Sequence, residues 1–271
     1  MKKDQLEELN IQKVQKLKNN EERFSGKGEI YARTRPIYAK AFIDYLFSDV
    51  GINESSVVAD IGSGTGILTQ QLLNMGCKEV FAVEPNDDMR KQAEINLNKH
   101  APKFQSITAT AEATGLSSQS VDFVTVAQAF HWFYRESFKK ECRRILKENG
   151  KVVLAWNTPD ENTILVCKYD LLLRQFCPDY VENASRLKMK DYERNLSDFF
   201  SGKFEIKAFH NDITFDKQSF IDRTCSSSYA LKEGDEGYEA YITALIELFD
   251  EYSRNGILVL PNKTRSYVGI V

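Results

Sequence analysis

The central part of the chain alternates between short runs of apolar, often β-branched residues and longer segments in which apolar residues recur every three or four positions. The short runs predict buried strands at 56–61, 79–83, 105–109, 121–126 and 151–156. The longer segments predict helices at 65–75, 87–99 and 135–148, the last ended by Asn149 and Gly150. Alternation of this kind predicts a parallel sheet with helices on both faces.

The flanking regions follow other patterns. Residues 1–25 predict a peripheral amphipathic helix, and Pro36 suits the first turn of a second helix that runs to Phe47. Beyond Trp156, helical segments are predicted at 161–176, 186–200, 217–225 and 235–254, with a strand-like run at 204–215. The runs 257–260 and 266–271 flank a turn at 261–264, which predicts a hairpin.

We therefore predict an α/β fold with a Rossmann-like, doubly wound and mainly parallel sheet. The late strands pair antiparallel at its C-terminal edge, and the helices between them form a lid. We predict a single domain over 1–271, divided into an N-terminal helical cap (1–50), a ligand-binding core (51–157) and a helical insertion with the C-terminal strands (158–271).

Composition narrows the functional classes. A formal net charge of −3 argues against a dedicated nucleic-acid binder. No apolar stretch approaches the ~20 residues of a membrane span, and we expect no export signal. Five scattered cysteines without a Cys-x-x-Cys pair favour free thiols in a reducing cytoplasm, and three separated histidines make a zinc site improbable.

The most informative segment is the glycine-rich turn between the first predicted strand and its helix. It reads Asp-Ile-Gly-Ser-Gly-Thr-Gly from Asp60 to Gly66. Glycines there let the backbone turn tightly and approach a ligand, and the helix start attracts an anionic group. Alone the turn does not identify the ligand, because dinucleotide-binding and phosphate-binding loops use the same device.

Further candidate residues follow the other strands, where ligands bind in open α/β sheets. Glu84, after the second strand, can accept both hydroxyls of a ribose. The turn has the spacing Asp-x-Gly-x-Gly-x-Gly rather than Gly-x-Gly-x-x-Gly, and the anion Asp60 suits an ammonium better than a pyrophosphate. These details favour an adenosine ligand that carries an amino-acid group.

The segment from Val57 to Trp156 resembles the class I S-adenosylmethionine-dependent methyltransferases, especially the type 11, small-molecule branch with trans-aconitate methyltransferase-like proteins. The motifs that carry this resemblance are Asp60–Gly66, Val83-Glu84-Pro85, Ala111-Glu112 with Ser120-Val-Asp122, Ala127–Phe133 and Ile145–Gly150. The segments Phe24–Gly28 and Tyr31–Tyr38 also match the branch. Lys147–Gly150 lacks a proline that is common there. The resemblance implies a seven-stranded sheet, S-adenosylmethionine as cofactor and a small-molecule methyl acceptor.

The resemblance also implies roles for individual residues. Gly62, Ser63 and Gly64 would cradle the methionine part, with Asp60 near its ammonium. Arg35 would pair with the carboxylate, and Tyr31 would lie beside it. The residues expected at the adenosine and sulfonium are Glu84 on the ribose, Pro85, Met89, Ala111 and Glu112 around the adenine, and Gln128 under the sulfonium.

The acceptor side is less defined. His131 is the one histidine placed to act as a base, although it could instead line the pocket wall with Trp132 and Trp156. Arg33, Arg35, Arg223 and Lys232 could bind an acidic acceptor, but Arg223 and Lys232 fit solvated surface charge better. Two other functions stay open: a nicotinamide-dependent oxidoreductase, and a non-catalytic module that binds S-adenosylmethionine.

Overall fold

A computed structural model describes residues 35–180, 196–227 and 229–271. The predicted N-terminal helix and most of the predicted helix at 186–200 lie outside these residues. Within the described parts, no helix is both long enough and apolar enough to cross a membrane.

The first half of the described chain alternates strands and helices as predicted. In order, its elements are α1 (Lys40–Tyr45) with a π-helical turn (Leu46–Val50), β1 (Val57–Ile61), α2 (Ile67–Asn74), β2 (Glu79–Val83), α3 (Asp87–Leu97), β3 (Phe104–Ile107), β4 (Val121–Ala127), α4 (Arg135–Ile145) and β5 (Leu146–Pro159). The second half contains α5 (Ile164–Phe176), β6 (Glu205–His210), β7 (Ile213–Phe215), α6 (Lys217–Cys225), α7 (Tyr238–Tyr252), β8 (Leu258–Leu260) and β9 (Asn262–Gly269).

Seven strands form one sheet in the order β3-β2-β1-β4-β5-β9-β6. The first five are parallel, and β9 pairs antiparallel with both β5 and β6. This arrangement confirms the predicted α/β fold with a mainly parallel seven-stranded sheet and antiparallel C-terminal strands.

Alternation along the strands divides the core between the two faces of the sheet. In β1, Val57 and Ile61 face a cluster that includes Phe138 of α4, whereas Val58 faces a cluster that includes Leu72 of α2. All five residues of this strand are buried, as expected for a central parallel strand covered on both faces.

The predicted C-terminal hairpin was wrong. Strand β8 pairs with β7 in a separate two-stranded sheet, and β9 begins at Asn262, inside the predicted turn. Leu258 and Leu260 are buried in an apolar cluster with residues of α5, α6 and α7, whereas β9 fills the gap between β5 and β6. The two runs therefore bury their apolar side chains in different cores.

Two element boundaries also differ from the prediction. The run 204–215 forms two strands, because β6 joins the large sheet and β7 joins the small one. Helix α4 ends at Ile145 rather than at residue 148, since Leu146 already pairs with Val121 of β4.

Helices α5, α6 and α7 pack with β7 and β8 around an apolar cluster of their own, which includes Phe220, Tyr241 and Phe249. We call this unit the lid.

Candidate functional site

The glycine-rich turn between β1 and α2 lies against the end of β2. The amides of Gly62 and Ser63 donate hydrogen bonds to the carbonyl oxygen of Val83, at 2.8 and 3.2 Å. Gly62, Gly64 and Gly66 all have positive φ values, of 66°, 56° and 81°. The three glycines therefore let the chain reverse direction over the carboxyl ends of the strands.

Asp60 is the penultimate residue of β1 and is almost completely buried, with 1% of its surface exposed. One carboxylate oxygen accepts a hydrogen bond from Thr69 Oγ1 of α2 at 2.6 Å, and the other accepts one from Thr125 Oγ1 of β4 at 2.8 Å. The side chain thus ties three elements together beneath the glycine-rich turn. It also lines the cavity described below.

The burial of Asp60 predicts a pH-dependent difference in stability. Desolvation raises the pKa of this carboxyl from 3.8 to about 6, although the threonine hydrogen bonds lower it in part. The native state therefore holds a proton that the unfolded chain has released, and stability falls as the pH rises from 4 towards 6. Asp60→Asn lacks this effect. The free energy of unfolding of the variant minus that of the wild type should therefore be about 2 kcal/mol larger at pH 7 than at pH 4.5.

Urea unfolding of both proteins at pH 4.5, 5.5, 6.5 and 7 measures this difference. A gap that stays constant across the series would contradict the raised pKa. Thr69→Val, which removes one hydrogen bond and keeps the carboxyl, provides a comparison in which the pH dependence persists.

Glu84 follows β2 and points back at the glycine-rich turn. Its Oε2 accepts a hydrogen bond from the Gly64 amide at 2.9 Å, and its Oε1 accepts one from the Asn86 amide at 2.9 Å. The Asn86 side chain in turn caps α3 by accepting from the amide of Met89 at 3.0 Å. The carboxylate of Glu84, with 9% of its surface exposed, is thereby held at the edge of the turn.

The ends of β3 and β4 complete this side of the site. Glu112 Oε1 accepts a hydrogen bond from the Tyr134 amide at 2.8 Å, immediately before α4. Gln128 has φ 60°, a conformation that non-glycine residues rarely adopt, and its Nε2 donates to the Asn157 carbonyl oxygen at 3.0 Å. A strained residue at the end of a central strand is typical of a functional site.

Asn157, near the end of β5, connects the N-terminal segment to the sheet. Its Oδ1 accepts hydrogen bonds from Thr264 Oγ1 at 2.6 Å and Asn211 Nδ2 at 3.0 Å, while its Nδ2 lies 3.2 Å from the Ile37 carbonyl oxygen. Thr264 Oγ1 also accepts from the Ala39 amide at 3.0 Å. This network holds the segment that contains Arg35 over the ends of the strands.

These elements enclose a cavity of about 1450 Å³, which runs from the glycine-rich turn into the lid. The cavity brings together most of the residues predicted from the sequence. Its lining includes Arg35, Asp60, Gly62, Ser63, Gly64, Glu84, Pro85, Met89, Ala111, Glu112, Gln128, Trp132 and Trp156.

The remaining predicted residues differ in their relation to this cavity. His131 is not part of the cavity lining. Its side chain is exposed and lies beside Trp132, with 4.6 Å between the ring centroids and 46° between the ring planes. Arg223 lines the cavity and Lys232 does not. Tyr31 and Arg33 lie outside the described residues.

The structure adds residues that the sequence analysis did not assign to the site. Asn157 lines the cavity, and the sequence gives no indication of its hydrogen-bond network. Lys263 and Asp160 form an ion pair at 2.8 Å in the cavity wall. Asp160 directly follows β5, so its position at a strand end could have identified it as a site candidate from the sequence. No local sequence pattern identifies Lys263, because its place in the cavity wall depends on the pairing of β9 with β5.

The core of this site is similar to a known protein family. A family model described as a methyltransferase domain, of type 11, matches residues 59–154. The chain is 34% identical over 149 residues to an uncharacterized methyltransferase-like protein of Schizosaccharomyces pombe. The matched region covers 55% of this chain and 57% of that protein. It is 37% identical over 131 residues to an uncharacterized methyltransferase of Mycobacterium tuberculosis. Here the matched region covers 48% of this chain and 50% of that protein.

Among solved structures, a candidate type II methyltransferase of Anaeromyxobacter dehalogenans superposes with a TM-score of 0.61 at 22% identity, covering 87% of this chain and 95% of that one. At this identity the likeness concerns the fold. The chain spans about half the length of the curated relatives it matches. Residues 59–154 are therefore similar to a methyltransferase domain of type 11.

Proposed function

We propose that this chain is an S-adenosylmethionine-dependent methyltransferase that acts on a small-molecule acceptor. The observation that carries the proposal is a continuous cavity that joins the glycine-rich turn and Glu84 to the interior of the lid. A methyl transfer needs a donor and an acceptor held together away from water, and a cavity of this extent provides space for both.

Two features of the glycine-rich turn fit the cofactor. The Ser63 hydroxyl is buried in the cavity wall and has no hydrogen-bond partner within the described chain, so it is available to a ligand. A Cβ built on Gly64 would meet nothing within 4 Å and would enter the open space of the cavity. The turn thus leaves a cradle that a side chain would fill.

We assign the binding roles as follows. Gly62, Ser63 and Gly64 hold the methionine part, with Asp60 beneath its ammonium and Arg35 on its carboxylate. Glu84 accepts from the ribose hydroxyls, and Gln128 lies at the sulfonium. The adenine contacts are assigned to Pro85, Met89, Ala111 and Glu112. Tyr31 keeps its proposed place beside Arg35.

When bound, S-adenosylmethionine supplies an electrophilic methyl group to a nucleophilic atom of the acceptor. The protein's own part is to orient the acceptor and to exclude water. Trp132 and Trp156 form the wall near the strand ends. Because His131 lies outside the cavity lining, its exposed ring fits a place beside the entrance better than proton transfer inside the cavity.

The first experiment separates this proposal from a nicotinamide-dependent oxidoreductase. Calorimetric titration with S-adenosylhomocysteine and with NADH should show binding of the first only. Tight NADH binding without S-adenosylhomocysteine binding would overturn the proposal.

The second experiment tests catalysis and the finer relation to trans-aconitate methyltransferase-like proteins. The protein is incubated with methyl-labelled S-adenosylmethionine and a panel of carboxylic acids, phenols and amines, with trans-aconitate among them. Labelled product is expected from at least one class. Binding of the cofactor without product from any class would favour the non-catalytic module instead.

A further inference from the structure

The lid end of the cavity has a different lining from the strand end. At the strand end, glycines and polar side chains predominate, as described above. At the lid end the wall consists mainly of apolar and aromatic side chains from α5, α6, β7 and β8. Phe215, Phe220 and Leu260 belong at once to this wall and to the buried cluster of the lid, and Ile213 and Tyr229 pack against that cluster.

The small β7–β8 sheet shows why this wall is apolar. Residues on a strand alternate between its faces, and Ile213 and Phe215 line the cavity while Thr214 between them is exposed. On the partner strand, Leu260 lines the cavity and Val259 is 47% exposed. The sheet therefore presents one apolar face to the cavity and the other to solvent.

The polar groups at this end largely satisfy one another. Tyr180 donates a hydrogen bond from its hydroxyl to Asp170 Oδ1 at 2.6 Å, and Arg174 forms an ion pair with the same carboxylate at 2.6 Å. The hydroxyls of Tyr169 and Thr224 lie 3.0 Å apart, in hydrogen-bond contact. A ligand in this space thus meets apolar surface and aromatic rings rather than a row of unmet donors.

Charge at the lid end is also limited. Among the described residues of the lid itself, the charged side chains that line the cavity are Asp170, Arg174 and Arg223, which sum to one positive charge. Asp160, Glu161, Lys263 and Arg265 line the cavity next to the lid and sum to zero, and Lys263 pairs with Asp160 at 2.8 Å. A ligand with three carboxylates would have to bury charge without enough partners, which is unfavourable. An apolar ligand with at most one anionic group meets no such penalty.

The cavity is large enough for such a ligand in addition to the cofactor. Pockets for one drug-sized ligand occupy about 300–1,000 Å³, less than the 1450 Å³ found here. We propose that the lid end binds the methyl acceptor, and that this acceptor is an aromatic small molecule with at most one charged group. This inference rests on the proposed function and specifies its substrate class.

The test is a calorimetric series on the full chain saturated with S-adenosylhomocysteine. The probes are acetate, phenylacetate and 1-naphthylacetate, which share one carboxylate and differ in apolar area, together with trans-aconitate. Affinity should rise about tenfold or more with each added ring, because each ring removes more apolar surface from water. Equal affinities across the series, or tighter binding of trans-aconitate, would overturn the inference.

Substitutions on the two faces of the small sheet provide a matched pair. Ile213→Trp fills the cavity and should weaken 1-naphthylacetate about tenfold or more, whereas Val259→Trp on the solvent face should change it less than about twofold. Ile213→Ala, which removes apolar contact instead of adding bulk, should also weaken 1-naphthylacetate. If neither Ile213 variant alters its affinity, the probe binds elsewhere and the inference is wrong.

The same titrations separate this inference from the proposed function. Neither Ile213 variant should alter the affinity for S-adenosylhomocysteine, which is assigned to the strand end. If the wild type fails to bind S-adenosylhomocysteine, the proposed function fails and the inference with it. If it binds S-adenosylhomocysteine but shows no dependence on ring number, only the inference is overturned.

Discussion

Glu84→Ala is expected to weaken S-adenosylhomocysteine binding by about a hundredfold or more. The variant loses the carboxylate that we assign to the two ribose hydroxyls, and charge-assisted hydrogen bonds of this kind contribute about 1.5–3 kcal/mol each. It also frees the Gly64 amide, which now donates to Glu84 Oε2 at 2.9 Å, so the glycine-rich turn loses an anchor. Calorimetric titration of the purified variant measures the change in affinity.

Asp87→Ala is the matched control, since it removes a carboxylate only three residues away and changes the net charge equally. Asp87 is not part of the cavity lining. Its side chain is 66% exposed, and its carboxylate forms an ion pair with Arg90 at 2.6 Å. The affinity of the Asp87→Ala variant for S-adenosylhomocysteine should stay within about twofold of the wild-type value. Thermal unfolding without ligand shows whether Glu84→Ala remains folded. A folded Glu84→Ala protein with wild-type affinity would disprove the ribose assignment.

The order of strands and helices up to β5 could be predicted because each of these elements carries its own local pattern. The run Val57–Ile61 is apolar throughout and is followed at once by glycines, so a buried strand and a tight turn are both visible within a few residues. The carboxyl ends of parallel strands meet at one edge of the sheet. That rule is why residues as distant in sequence as Glu84 and Gln128 line the same cavity.

The pairing of the late strands could not be predicted in the same way. The runs 257–260 and 266–271 are close in sequence and flank turn-forming residues, which favours a hairpin locally. The observed pairing depends instead on long-range partners: β8 on β7, and β9 on β5 and β6. Which apolar core each run joins is decided by the whole fold.

Hydrogen-bond partners within the site were equally hidden. The two threonines that bind Asp60 lie nine and 65 residues further along the chain, and neither belongs to a recognised motif. Asn157 joins four segments through its amide and carbonyl groups, but on the sequence it is one asparagine at a strand end. Residue types at strand ends predict which side chains share a site, whereas the hydrogen bonds between them depend on the folded structure.

Gly62→Ala should destabilise the protein by about 2–5 kcal/mol. A Cβ built on Gly62 lies 2.6 Å from the Ala129 Cβ and 3.1 Å from Phe133 Cζ, both on the segment after β4. Overpacking of this kind costs about 1–3 kcal/mol, and the φ of 66° adds about 1–2 kcal/mol for a residue with a side chain. Urea unfolding at pH 7 measures the loss.

Gly51→Ala isolates the backbone contribution to this loss. Gly51 has a φ of 99°, yet a Cβ there meets nothing within 4 Å, so its substitution should cost only about 1–2 kcal/mol. The excess for Gly62→Ala over Gly51→Ala then measures how closely the glycine-rich turn packs against the Ala129–Phe133 segment. If the two variants lose equal stability, that segment yields to the methyl group, and the close approach of the turn to the end of β4 does not require glycine.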